Sequence, residues 1–425
     1  MSKLVIEGKN TLSGEISISG NKNAVLPMIA ASLLTDEEIL LRNVPDIIDV
    51  KVMLNIAEAL GVSVNRDGDT LRLKAEKISS CELPHELCSR IRTSILFTAP
   101  LLHRCGEALI WPPGGDVIGR RRLDGHFYGL KSLGTEINVD TIPYRFKAKK
   151  NISGKDLFLD EASVTATEHI MMFAALAKGQ TIIRNAASEP HVHSLADLLI
   201  KMGAKISGLD SNTLVIDGVE KLHGTEHSVD GDHIEAGSFL AMAAATGGEL
   251  TVKGTIPRHY WMTRRVFERI GVKMKLSPGK IYMQGGQELE IKPDIGNAIP
   301  VISDGPWPQF PSDMMSCMIV AATQAKGTVL FFEKMFESRI YFVDRLINMG
   351  ANAIICDPHR AVICGPSTLR GIEMSSPDIR AGMALMIAAL CAKGRSVIHN
   401  SDVIFRGYEN IVEKIISLGG KISQE

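Results

Sequence analysis

The chain has 425 residues, too many for one ordinary core, so two domains are expected. It is 45% hydrophobic and 22% charged with a formal net charge of −1, which suits a globular protein and supplies no overall field to gather nucleic acid. No run of about 18 apolar residues is present to cross a membrane, and Met1-Ser2-Lys3-Leu4 lacks the apolar stretch of a signal peptide, so a cytoplasmic location is expected.

Along the chain, one element recurs: an amphipathic helix, a glycine, then a strand. It reads Leu60-Gly61-Val62, Leu133-Gly134-Thr135, Met202-Gly203-Ala204, Ile270-Gly271-Val272, Met349-Gly350-Ala351 and Leu418-Gly419-Gly420. The glycines lie 73, 69, 68, 79 and 69 residues apart. Glycine just past the last apolar helical residue is a helix-stop signal, because a positive φ costs it little. The first copy runs on into a predicted hairpin, Val64 to Leu71. A second element interleaves with the first: a small-residue helix, a polar or glycine turn, then a strand. It occurs at 174–183, 321–330 and 388–398. Such Ala-rich helices permit close packing and are expected inside a domain. An ordinary α/β chain with a helix-Gly-strand habit is the plainer account. Near-constant spacing favours six repeated units, three per domain, with a ligand cleft between the domains.

Five places carry candidate chemistry. Asn21-Lys22-Asn23-Ala24 precedes an apolar helix; Asn23 is the expected N-cap, and Lys22 is placed to meet an anion. Arg90-Ile91-Arg92 opens a further apolar helix, where a cation opposes the helix dipole unless it serves an anion or is solvated. The stretch from Trp111 to His126 is a Pro-Gly loop with Asp116 at its tip and Arg120, Arg121 and Arg122 behind it; a solvated basic turn and a binding loop remain open. Asp313, in Pro311-Ser312-Asp313-Met314, is suited to cap its helix or to accept a proton. Arg339, Arg380 and Arg406 lie in short C-terminal motifs that also suit structural ion pairs. No Walker A loop, GxGxxG after a strand, or HExxH occurs. Seven cysteines, an odd count without a CxxC pair, point to reduced thiols, most of them small buried hydrophobes, rather than to disulfides or zinc.

In this order, these segments resemble the enolpyruvyl transferases over essentially the whole chain. The resemblance rests on Lys22-Asn23-Ala24, the Pro-Gly-Gly loop, Pro311-Ser312-Asp313-Met314, Phe336-Glu337-Ser338-Arg339, Asp378-Ile379-Arg380 and Arg406-Gly407-Tyr408. It implies an α/β (α+β) fold, a two-domain inside-out α/β barrel of six βαβαββ-type repeats. One domain would be 22–231, the other 1–21 plus 232–425. It implies transfer of the enolpyruvyl unit of phosphoenolpyruvate to the 3-hydroxyl of UDP-N-acetylglucosamine, the first committed step of peptidoglycan synthesis. The reaction needs no metal or organic cofactor. Its partners are these two small molecules, with no nucleic acid and no membrane.

By position, the resemblance puts Lys22, Arg121 and Arg406 on phosphoenolpyruvate, with Arg339 and Arg380 as a second set. Asn23, Arg92, Asp313 and Met335 match positions on the UDP-sugar, and Asp313 is the candidate base. Ser163, Val164 and Thr165, with Arg121, Arg122, Leu123, Asp124 and Gly125, match nucleotide contacts; Asp378 accompanies Arg380. Arginine suits these roles because its planar fork binds carboxylate and phosphate in bidentate fashion.

The departures concern the acceptor and the acid. Most members carry Cys at the loop tip, where this chain has Asp116, the expected proton donor. Glu161, Thr165, Trp307 and Phe405 replace Lys, Gly, His and Asp. The alternatives are a paralogue acting on another UDP-sugar or uridine nucleotide, and a non-catalytic nucleotide-binding regulator. Retention of Lys22 and the arginines argues against the latter.

Overall fold

A computed structural model describes residues 2–115 and 122–425. Asp116 and Arg121 therefore lie outside the described residues. The chain forms two compact units, each with its own hydrophobic core. Among the described residues, one comprises those up to Ser19 and from Gly231 to Glu425; the other comprises 20–115 and 122–230. In the first, the Asp232 N–H donates to the Ser19 carbonyl at 2.8 Å; in the second, the Asn21 N–H donates to the Asp230 carbonyl at 2.8 Å.

The repeats become six sheets. Five have four strands and follow one rule: a parallel pair, then two antiparallel pairings. Val301–Ser303 runs parallel to Gly327–Phe332, which pairs antiparallel with Arg360–Gly365 and through it with Asn352–Asp357. The parallel pair needs a crossover, supplied by the helix Ser312–Ala322. The sixth sheet, Glu107–Ile110, Tyr144–Ala148 and Thr135–Asn138, keeps only a single parallel bridge, Glu82 to Leu109, in place of the fourth strand. No sheet closes into a barrel among the described residues. The six repeat glycines all take positive φ, between 88° and 114°, so each ends its helix in a conformation that L side chains disfavour.

The crossover helices lie inside. All 13 residues of Ile379–Cys391 are buried, and this helix packs with His233–Thr246 and Ser312–Ala322 in one unit. In the other, Lys22–Ala31 packs on Arg92–Phe97, and Thr98–Cys105 on Val164–Ala174. The small residues expected there permit these approaches. The hairpin is Ser63–Asp67 with Thr70–Lys74. All seven cysteines are free, but only Cys88, Cys317 and Cys391 are buried; Cys81, Cys105 and Cys364 are half-buried and Cys356 is exposed, because the last four fall in a loop, at a helix end and on strands rather than on inner helices. No helix among the described residues is long and apolar enough to cross a membrane.

One helix pair sets the position of several candidate residues. The helix Asp124–Leu133 lies against Val164–Ala174, and a Cβ added at Gly129 would stand 2.3 Å from Ile170 Cγ1 and Cδ1. A Cβ at Gly125 would stand 3.2 Å from the Ala166 Cβ. Gly129→Val is expected to wedge the helices apart and cost about 2 kcal/mol, read as a lowered urea midpoint. A midpoint equal to that of the parent chain would show that the helices adjust freely.

Candidate active site

In the unit containing Gly231–Glu425, the predicted residues gather around the starts of buried helices. Asp378 caps Ile379–Cys391, its carboxylate accepting from the Arg380 and Ala381 N–H groups at 2.8 and 2.9 Å. That fixes Arg380 at the first turn. Arg380 Nε and Nη2 donate to Asp313 Oδ2 at 3.0 and 2.7 Å, and Arg339 Nη2 donates to Asp313 Oδ1 at 2.7 Å. Arg339 Nη1 also donates to Ser312 Oγ at 3.0 Å, and its guanidinium lies over the Phe336 ring, 4.7 Å from the centroid. Its Nε–H is buried and has no hydrogen-bond partner among the described residues. A guanidinium with a donor to spare beside an acid is suited to an anionic ligand.

Asp313 does not cap its helix. Pro311 holds the cap position, and the carboxylate is taken by the two guanidinium groups. Both arginine side chains are 7% exposed, yet Asp313 is 24% exposed and open to a ligand. Burial pushes the Asp313 carboxyl up, but Arg380 and Arg339 outweigh it and hold the group well below the usual carboxylate range. As it stands, Asp313 is an anion and a weak base.

Supporting residues surround this cluster. Arg380 Nη1 donates to the Tyr408 hydroxyl at 3.1 Å, which lies 3.0 Å from Ser238 Oγ. Arg406 is half-buried at the end of the 3-10 segment Ser401–Arg406, just before Gly407, which abuts Ile379. The Met335 side chain is exposed, and its N–H donates to Asp304 Oδ2 at 3.3 Å. Nearby, burial and then the neighbouring Asp304 carboxylate push the Glu333 carboxyl up to about 9. His233, His259 and Trp307 form a ring cluster with centroids 5.9, 6.1 and 6.5 Å apart. Burial and then His259 hold His233 down at about 3, so that ring is neutral.

In the other unit, Lys22 and Asn23 are the first two residues of Lys22–Ala31, but the expected cap is corrected. Asn21, not Asn23, is the N-cap: its backbone is extended at φ −66° and ψ 114°, and its side chain accepts from the Ala24 N–H at 3.1 Å. Asn23 is already helical, so its amide is not needed by the backbone. Lys22 Nζ pairs with Asp49 at 2.7 Å, with side chains 10% and 4% exposed. Arg92 opens a 3-10 segment, Arg92–Phe97, ahead of the α-helix. Its Nη2 donates to the Arg122 carbonyl at 2.7 Å. Arg122 and Asp124 form an exposed bidentate pair at 2.8 and 3.0 Å. Leu123 holds the cap position of the helix that Asp124 and Gly125 begin. The Gly125–Ala166 approach then brings 122–125 to Ser163, Val164 and Thr165, which start the facing helix. Ser163 is its N-cap without a side-chain cap bond.

Sequence reasoning assigned no role to Asp49, Tyr408, Ser238, His126, His169, His233 or His259. Asp49 sits in the first turn of Ile48–Ala59 and reads as a dipole complement. Its pairing with Lys22 depends on packing between two successive helices, Lys22–Ala31 and Ile48–Ala59. Among the described residues, no group of three or more His, Cys, Asp and Glu is arranged to hold a metal ion.

Residues 6–415 match the family described as EPSP synthase (3-phosphoshikimate 1-carboxyvinyltransferase). The chain is 50% identical to a UDP-N-acetylglucosamine 1-carboxyvinyltransferase of Borreliella burgdorferi, covering 100% of this chain and 99% of the relative. It is 52% identical to the protein of that name in Treponema denticola, covering 99% of each. Its fold is similar to that of the enolpyruvyl transferase NikO from Streptomyces tendae, with TM-score 0.87 at 22% identity over 100% of this chain and 98% of the other. It is also similar to EPSP synthase from Acinetobacter baumannii, with TM-score 0.77 at 17% identity over 100% of both chains.

Proposed function

Because the chain belongs to the EPSP synthase family of enolpyruvyl transferases, we propose that it moves the enolpyruvyl group of phosphoenolpyruvate onto the 3-hydroxyl of UDP-N-acetylglucosamine and releases phosphate. This is the first committed step of peptidoglycan synthesis. The observation that carries the reading is Asp313, clamped by two buried arginines yet open to a ligand. The likeness to relatives named for this activity supports the same acceptor. The proposed partners are the two small molecules alone, and the proposed location is the cytoplasm.

In this mechanism, the sugar oxygen bonds to C2 of phosphoenolpyruvate while a proton joins its methylene carbon. Asp116 supplies that proton and Asp313 takes the one leaving the hydroxyl. The bond from C2 to the phosphate oxygen then breaks, and the methyl group returns a proton, which leaves an enol ether. Lys22, Arg121 and Arg406 hold the phosphate and carboxylate. Arg339 and Arg380 turn part of their donors to the same anion. As they do, the bound anion offsets their charge, the proton affinity of Asp313 rises, and it becomes a more competent base. Asn23, Arg92 and Met335 hold the sugar nucleotide, with 121–125 and 163–165 on its nucleotide part.

Arg406→Lys retains charge and loses the fork, so kcat/KM for phosphoenolpyruvate is expected to fall about a hundredfold. An unchanged value would remove Arg406 from the anion. The reading itself is tested by phosphate release from phosphoenolpyruvate across a panel of UDP-sugars. Release is expected with UDP-N-acetylglucosamine above all others; preference for another sugar would replace the acceptor, and none with any would sink the reading.

A further inference from the structure

Two buried histidines lie beneath the turn that carries Thr165. His126 Nδ1 is 3.0 Å from His169 Nδ1, and His126 Nε2 is 3.1 Å from Thr165 Oγ1. The two imidazoles are 1% and 0% exposed. Burial pushes His169 down to about 3; burial, His169 and Arg92 hold His126 well below its ordinary value. Both rings are therefore neutral near pH 7, and each carries one N–H. The transfer mechanism uses neither.

Two proton arrangements fit the contact between the Nδ1 atoms. In one, His169 Nδ1–H donates to His126 Nδ1. His126 then keeps its proton on Nε2 and donates to Thr165 Oγ1, which leaves the Thr165 hydroxyl proton free to point outward. The cost is a buried acceptor, His169 Nε2, which has no partner among the described residues. In the other, His126 Nδ1–H donates to His169 Nδ1. His169 then carries a buried, unpartnered N–H, and His126 Nε2 accepts the Thr165 hydroxyl and turns it inward. Orphaned buried N–H groups are rarer than under-used acceptors, which favours the first arrangement.

Thr165 is the second residue of Val164–Ala174 and is half-buried, at a helix end whose backbone N–H groups already favour an anion. We infer that His169, through His126, directs the Thr165 hydroxyl as a donor to the diphosphate of a bound nucleoside diphosphate. The inference rests on the reading of this turn as a nucleotide contact. His126 and His169 are positioning residues; Thr165 is the group that meets the ligand.

The test is calorimetric titration of UDP into the full chain and its variants. Thr165→Val and His169→Leu should each weaken UDP about tenfold, the loss of one hydrogen bond to a charged group. Thr165→Ser should restore binding to within about twofold because it keeps the hydroxyl. His169→Asn should do the same, since its amide N–H lies near the position of Nδ1. The double variant Thr165→Val/His169→Leu should bind no worse than Thr165→Val alone, because both act through one hydroxyl. In turnover, the losses should fall on KM for the sugar nucleotide and spare kcat. Unchanged UDP affinity in Thr165→Val would overturn the relay even if the histidine variants failed to fold, and so would additive losses in the double variant. Phosphate release by the parent chain is measured alongside. An active enzyme with unaffected Thr165→Val sinks the relay alone, whereas the predicted UDP pattern without phosphate release sinks the transfer reading and keeps the relay.

Discussion

Asp313→Asn is expected to lower turnover about a thousandfold, the scale of losing a general base. It is also expected to destabilise the fold by about 3 kcal/mol, because it leaves two buried guanidinium groups without the carboxylate they share. The stability effect has its own pH signature. The Asp313 carboxyl is held below its ordinary range in the folded chain, so its contribution to stability is complete above the unfolded value of about 3.9. It is lost only as pH falls through the depressed folded value. The stability gap between parent and variant, from urea unfolding, should therefore be flat between about pH 5 and 8 and shrink in stronger acid. A gap that opens only at alkaline pH would contradict the ion-paired arrangement, and near-normal turnover would mean another group accepts the hydroxyl proton.

Asp116→Asn is expected to abolish nearly all turnover, by about a thousandfold or more, because the amide keeps the shape and cannot supply a proton. An Asp carboxyl ordinarily ionises at about 3.9, so the proposed role requires Asp116 to be held protonated in the complex with the anionic substrates. The parent enzyme should accordingly lose activity as pH rises. A carboxylate is also a poor nucleophile toward an epoxide, whereas a thiolate is a good one. The enzyme should thus be insensitive to fosfomycin, and Asp116→Cys should confer sensitivity. An Asp116→Asn enzyme with most of its activity and an unchanged pH profile would reduce Asp116 to ordering a glycine-rich segment.

Much of the fold was legible because it rests on local rules repeated six times. Gly61, Gly134, Gly203, Gly271, Gly350 and Gly419 each follow the last apolar turn of a helix, and each takes a positive φ. Ala388-Ala389-Leu390 and its counterparts indicated inner helices before any packing was known. The reduced fourth strand of the sheet around Tyr144–Ala148 was not legible, since pairing of Glu82 with Leu109 depends on register across the sheet.

The candidate residues were legible as types in order, and less so as contacts. Asn21 and Asn23 both suit a cap; which one leaves helical backbone is decided where the chain enters the unit, beside Asp230. Asp313 meets Arg339 and Arg380 across 26 and 67 residues, and Lys22 meets Asp49 between two helices. Such pairings follow from tertiary packing and carry no local period. In the sequence His169 looks like one more polar residue beside Thr167 and Glu168 on the helix Val164–Ala174, and only the facing His126 gives it a task.

The most direct measurement is carbon-13 NMR of the product formed from phosphoenolpyruvate labelled at C2 and UDP-N-acetylglucosamine. The proposed reaction joins the labelled carbon to the sugar C3 oxygen and keeps a terminal methylene. A three-bond coupling from the label to the C3 proton of the sugar, with one phosphate released per product, is the predicted result. A label that remains in phosphoenolpyruvate, or couples to any other position of the nucleotide sugar, would contradict it.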